Sequence, residues 1–323
     1  LSVKDARIIK EKYESSLLAI PGVTGVGYNG SINIYVKDLD PKILQMIPDS
    51  VDGIPVHVRK ASFKLMKLYP VKSFYGKRVT KHRPAPGGVS VGHTQVTAGT
   101  LTCKALDRSN GEVLGLSNNH VVALDWGTSH IGQKGDSILQ PGPADGGTYP
   151  NDILGYLERW ESVSESERNY IDAGVFYSDE LAKFIEEIGE PDSTMEPYVG
   201  QNIIKSGRTS GVNYTKVIDI GATISVEGDG VCLFHNQIIT EPACLLPGDS
   251  GSWGGDVDTY RNVGLGFAGD ENLSVFNRMS EVEKILDIEV VPPLGYLPLL
   301  PTISPLILGT VISNLSGVRK LAN

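Results

Sequence analysis

The stretch LLPGDSGSWGG, residues 245–255, decides how the rest of the chain is read. Its glycines let the backbone turn sharply and bring N–H groups close to a substrate carbonyl. Ser250 is then either a nucleophile or a polar residue in a plain glycine turn. Acyl transfer by serine needs a base within hydrogen-bond reach and a group that fixes the base's tautomer. The N–H groups of Gly248 and Ser250 would form the oxyanion hole.

Six histidines are available, at 57, 82, 93, 120, 130 and 235. Only His120, in LGLSNNHVVAL, ends an apolar strand among small polar neighbours, a place that can hold a base rigidly at a cleft. A structural histidine would fit the same spot. For the acid, NYIDAGVFY sets Asp172 inside an apolar run, where a carboxylate is costly unless paired or hydrogen-bonded. Its rival is Asp152 in PNDILGYL, which follows a proline-rich loop and could simply cap a turn. Asp172 is the better candidate. Histidine, aspartate and serine thus occur in that order, each in a context that suits its role.

The bulk numbers bound the class. At 323 residues the chain has length for about two domains. A net charge of -9 with no basic block argues against nucleic acid as a partner. The 37 glycines and 19 prolines imply many turns and short strands, so β-rich structure is expected. Three cysteines, Cys103, Cys232 and Cys244, allow one disulfide at most, Cys232 with Cys244 being the nearest pair; free buried thiols fit equally. There is no CxxC and no zinc-type cluster, and no cofactor is expected. The first residues, LSVKDARIIKEKYESS, are charged and helical in pattern, unlike a secretory leader. Compartment stays open.

Outward from the serine loop, four regions are expected. Residues 1–68 read as a small α+β module of ferredoxin-like type. It has a helix over 3–20 stopped by Pro21-Gly22 and a half-buried strand in SINIYVK with Ile32, Ile34 and Val36 on one face. A short helix capped by Asp40 and a strand in IPVHVRK follow. Residues 69–86 are basic, proline-rich and linker-like. From 87 to 291 short apolar runs alternate with turn signals, Asn110-Gly111 being a strong hairpin signal. This reads as an all-β barrel or sandwich closed by an amphipathic helix near MSEVEKILDI. Residues 292–323 form an apolar, proline-rich tail. Its prolines and short uninterrupted run argue against a membrane role, since a spanning helix needs about 20 apolar residues. The tail or the N-terminal module could instead join copies of the chain into a homo-oligomer.

LSNNHVV, NYIDAGV and LPGDSGSWGG together resemble the trypsin-like, chymotrypsin-fold serine peptidases. The nearer likeness is to the group with bacterial members and the plant narrow-leaf protein, through PAPGGVSVG, TAGTLTC, ILQPGPADGG, KSGRTSGVNYTKV and IPGVTGVG. It covers roughly residues 15–290. The resemblance implies a double β-barrel of six plus six strands, mainly β, with His120 as base, Asp172 as its orienter and Ser250 as nucleophile. It also implies that Cys244, Leu245, Phe267, Ala268 and Gly269 line the substrate pocket, and that peptides or proteins are the substrate. No carboxylate stands at the pocket base, so an apolar residue before the cleaved bond is expected. Two departures stand out: Ser252 replaces the usual second glycine, and no activation sequence precedes the barrel. An assembly protein built on a protease scaffold is the alternative. An α/β-hydrolase is excluded by the residue order, since that fold runs serine, acid, histidine.

Overall fold

The computed structural model describes residues 3–67 and 76–290. The tail at 292–323 and residues 69–75 of the linker lie outside the described residues. Elements are numbered here in chain order. An N-terminal layer comprises α1 (Val3–Leu18), β1 (Val23–Tyr28), β2 (Ile32–Val36), α2 (Pro41–Leu44) and β3 (Ile54–Lys60). Asp40 caps α2 by accepting from Lys42 N at 2.8 Å, so the cap chemistry is local, as the Asp-Pro pair implies. β2 pairs antiparallel with β1 and parallel with β3.

The alternation in β2 predicts one buried face, yet all five of its residues are buried. Ile32, Ile34 and Val36 join the apolar cluster that contains Ala6 and Leu17 of α1. The other face, Asn33 and Tyr35, is covered by the barrel that follows. Polar side chains can be buried there because each finds a partner: Asn33 Nδ2 and Tyr35 OH donate to Asp219 at 2.8 and 2.9 Å.

Next come β4 (Lys64–Leu65) and then a first barrel. Its strands are β5 (Ser90–His93), β6 (Gly99–Thr100), β7 (Cys103–Asp107), β8 (Val113–Ser117), β9 (Ser137–Leu139), β10 (Ile153–Trp160) and β11 (Gly174–Tyr177), with the one-turn helix α3 (Asn119–Val122) after β8. The β7–β8 hairpin turns at Asn110-Gly111, with Gly111 at φ 76°. Pairing runs β5–β9–β10–β11–β8–β7. β6 pairs back to β5 and leads directly into β7.

The second barrel holds β12 (Asn202–Gly207), β13 (Gly211–Gly228), β14 (Gly230–Glu241), β15 (Trp253–Asp256), β16 (Arg261–Gly269) and β17 (Ser274–Arg278). Its pairings run β12–β13–β14–β17–β16–β15 and return to β12, a closed ring of antiparallel strands. Closure leaves no free edge around the ring. Helix α4 (Met279–Ile285) and β18 (Ile288–Val290) follow, and β18 adds to β7 of the first barrel.

β13 is long enough to serve two sheets. Beyond the barrel ring its residues 220–224 pair with β1, so the N-terminal layer continues the second barrel's sheet. Buried Asp219 anchors this junction and also accepts from Tyr28 N at 2.7 Å. The described part of the linker is also fastened: buried Arg78 donates to Gly88 O at 2.8 Å and Ser206 Oγ at 2.7 Å.

Candidate active site

His120 sits three residues beyond the end of β8, in α3. The sequence places it at a strand end; the short helix arises because the asparagines just before it capture backbone groups that would otherwise extend the strand. Asn118 Nδ2 donates to Asp172 O at 2.6 Å. Asn119 Nδ2 donates to Asp125 O at 2.7 Å and Glu161 O at 2.8 Å. The turn is therefore held from three sides.

Asp172 lies just before β11. Its Oδ2 is hydrogen-bonded to His120 Nδ1, and its Oδ1 accepts from His120 N at 3.1 Å. Both side chains are buried. A carboxylate facing Nδ1 keeps a proton there and leaves Nε2 as the acceptor, the arrangement a general base needs. Asp172 N donates to Asn277 Oδ1 at 3.0 Å, so β17 fixes the acid's backbone. The rival Asp152 takes bonds from Thr148 N and Oγ1 at 2.9 Å and pairs with Lys81 at 3.0 Å, a turn-capping role away from His120.

Ser250 is buried in the loop between β14 and β15. That loop is fixed to the first barrel: Thr100 N donates to Ser250 O at 2.7 Å, Thr100 Oγ1 to Gly248 O at 3.0 Å, and Thr102 Oγ1 to Gly251 O at 2.7 Å. Gly251, at φ 92°, can be nothing else, since a Cβ there would lie 1.9 Å from Thr100 O. The serine loop and the histidine turn meet around Gly99. A Cβ on that residue would touch the Val121 side chain at 2.4 Å and Ser250 O at 2.9 Å. Among the described residues neither His120 Nε2 nor Ser250 Oγ has a hydrogen-bond partner, although both atoms are buried. Catalytic hydrogen bonds are often long before substrate engages.

The neighbour of Ser250 carries its own support. Asp249 is fully buried and pairs with Lys205 of β12 at 3.1 Å, also fully buried. It further accepts from Leu246 N at 3.0 Å, Thr209 N at 2.8 Å and Ser210 N at 3.1 Å.

The expected pocket residues divide between two apolar clusters, Cys244 and Leu245 in one and Phe267 and Ala268 in the other. Cys244 and Leu245 are buried, and their N–H groups donate to Ser274 Oγ at 2.8 and 3.1 Å. They join Val217, Ile238, Val263 and Phe276 in one apolar cluster. Burial pushes the Cys244 thiol up to about 11, so the thiol itself is uncharged at neutral pH. All three cysteines are free and buried. Phe267, Ala268 and Gly269 form the end of β16, and the chain's own β4 lies antiparallel along it. Met66 N donates to Phe267 O at 3.0 Å, and Gly248 N donates to Met66 O at 2.7 Å.

Three contributors escaped the sequence reading. Lys205 looks like any strand lysine until its partner is known. Trp126 meets His120 edge-on, ring centroids 6.2 Å apart, and stacks on Phe234. Met66 carries no signal of its own in the sequence. For Lys205, the apolar neighbours in NIIKSG were the available signal that its head group is buried.

Two antiparallel barrels, the second a closed ring of six strands, with the serine loop, the histidine turn and the aspartate meeting where they join, define a chymotrypsin-like double β-barrel, the fold of trypsin-like serine peptidases. No family model matches the chain, and no curated protein matches it. Among solved structures it is similar to Thermobifida fusca Protease A, at 14% identity and TM-score 0.47 over 64% of this chain and 98% of that one. It is also similar to Nocardiopsis Protease, at 16% identity and TM-score 0.45 over 63% and 97%. A homologue of α-lytic protease, N4, gives 16% identity and TM-score 0.46 over 64% and 99%. The fold assignment rests on the strand pairing, not on these distant likenesses.

Proposed function

We propose that the chain is a serine endopeptidase. Ser250 attacks a peptide carbonyl, His120 takes its proton and returns it to the leaving amine, and Asp172 orients and stabilises the imidazole. An acyl-enzyme forms, and water, activated by His120, hydrolyses it. The observation that carries this reading is the peptide carbonyl of Met66 resting on Gly248 N, in a strand paired to β16. A donor aimed at a carbonyl two residues before a buried serine is the arrangement that stabilises a developing oxyanion.

The same contact supports a preference for an apolar residue before the cleaved bond. The Met66 side chain reaches the Cys244–Leu245 cluster, and a Cβ on Gly269 would lie 3.2 Å from Met66 Cε. A neutral thiol and the hydrophobic side chains packed with it offer no partner for a lysine or arginine head group. Hydrolysis of a mixed peptide library by the purified chain, with Ser250→Ala as control, tests both statements. Cleavage after methionine or leucine that disappears in the variant is expected. Cleavage that survives the substitution would remove Ser250 from the mechanism.

A further inference from the structure

Residues 64–67 run through the chain's own cleft in the manner of a bound substrate. Leu65 is in register with Ala268 and Lys64 with Gly269. Leu65 packs with Trp126 and Phe267 in one cluster, Trp126 being the ring against His120. Met66 follows with its N–H on Phe267 O, its carbonyl on Gly248 N and its side chain in the apolar pocket. Lys67 comes next, and its Nζ pairs with Asp229 at 2.8 Å. That carboxylate also takes Ser129 Oγ at 3.2 Å, so the Lys67 site is a built one.

The strand lies between β16 and β13, where Lys64 is also in register with Glu227. It goes on to deliver a carbonyl to the loop that carries Ser250, and each of its four side chains or backbone groups has a distinct partner. We propose, building on the peptidase reading, that the chain is its own substrate and that Ser250 cleaves the Met66–Lys67 bond in cis. Ser250 Oγ adds to the Met66 carbonyl carbon as His120 Nε2 takes its proton. The C–N bond to Lys67 breaks, and the amine leaves with that proton. One water then hydrolyses the Met66 ester, giving a carboxylate on Met66 and a regenerated Ser250. The two pieces stay associated, because β1 remains paired to β13 and Asp219 remains bonded to Tyr28, Asn33 and Tyr35. The substrate class follows: leucine, then an unbranched apolar residue, then lysine across the cleaved bond.

The test is denaturing intact mass of the full chain over time, with Ser250→Ala, Lys67→Pro and Met66→Asp in parallel. Expected are two pieces, 1–66 and 67–323, the second beginning at Lys67, with all three variants uncut and the rate independent of chain concentration. Under native conditions the cut chain should still give the mass of the whole. A fluorophosphonate probe separates the failures. If Met66→Asp, whose carboxylate cannot enter the pocket, is labelled at Ser250 while the wild-type bond stays whole, self-cleavage is overturned and the peptidase reading stands. If neither chain is labelled nor cut, the peptidase reading falls and takes self-cleavage with it. A rate proportional to concentration would overturn cleavage in cis.

Discussion

Lys205 Nζ lies 3.1 Å from Asp249 Oδ2, with both side chains fully buried, one residue before Ser250. The lysine comes from the regular strand β12, so the serine loop is braced by the barrel itself. Removing one member of a buried pair leaves an uncompensated charge, which costs about 3–5 kcal/mol. Lys205→Met should lower stability by about that much in urea unfolding and lower kcat as the loop loosens. Lys205→Met combined with Asp249→Asn should recover part of the stability. A single variant as stable as the parent would show that the pair does not brace the loop.

His120 and Asp172 should differ in how much they matter. The Ser-His-Asp template in proteases gives the scale, which is borrowed: loss of the serine or histidine costs about 10⁶ in kcat, and asparagine for the aspartate about 10⁴. Ser250→Ala and His120→Ala should therefore be equally inactive in peptide hydrolysis. Asp172→Asn should retain a small measurable rate. Full activity in Asp172→Asn would remove the orienting role.

Substrate choice follows from the proposed apolar pocket. Burial keeps the Cys244 thiol neutral, and the hydrophobic side chains of one cluster pack with it. Profiling on substrates that vary only in the residue before the bond should rank methionine and leucine above arginine and lysine by 10-fold or more, about 1.4 kcal/mol. A profile led by arginine and lysine would contradict the pocket assignment.

The junction between the N-terminal layer and the second barrel should respond to pH. Burial pushes the Asp219 carboxyl up to about 7, against the three hydrogen bonds it accepts from Tyr28, Asn33 and Tyr35. A carboxyl in the unfolded chain titrates near ~3.9. Between those values the folded state binds the extra proton, so this group's contribution is full below about 4 and is lost as pH rises through about 7. Thermal unfolding from pH 4 to pH 7.5 should show that decline, and Asp219→Asn should flatten it. An unchanged slope in the variant would place the titration elsewhere.

Much of this was legible in the chain itself. Alternation in SINIYVK and IPVHVRK, Asp40-Pro41 and Asn110-Gly111 are local signals, and the elements they mark formed where those signals stand. His120, Asp172 and Ser250 could be picked out because each local context was unusual for its residue type. What could not be read depends on contacts between distant segments. Nothing near Lys64 announces that it will lie along Gly269, and nothing near Asp219 announces that two strands of another layer will cover it. The buried second face of β2 was missed for the same reason: alternation reports one covered face, and the covering of Asn33 and Tyr35 comes from a barrel some 190 residues later in the chain.

The central claim is that Ser250 is an activated nucleophile, and one measurement addresses it most directly. The chain carrying Met66→Asp, which clears the cleft, is treated with a fluorophosphonate beside the same chain carrying Ser250→Ala as well, and both are read by intact mass. The account predicts a single adduct on the first and none on the second. An adduct on both, or on neither while the chain remains folded, would contradict it.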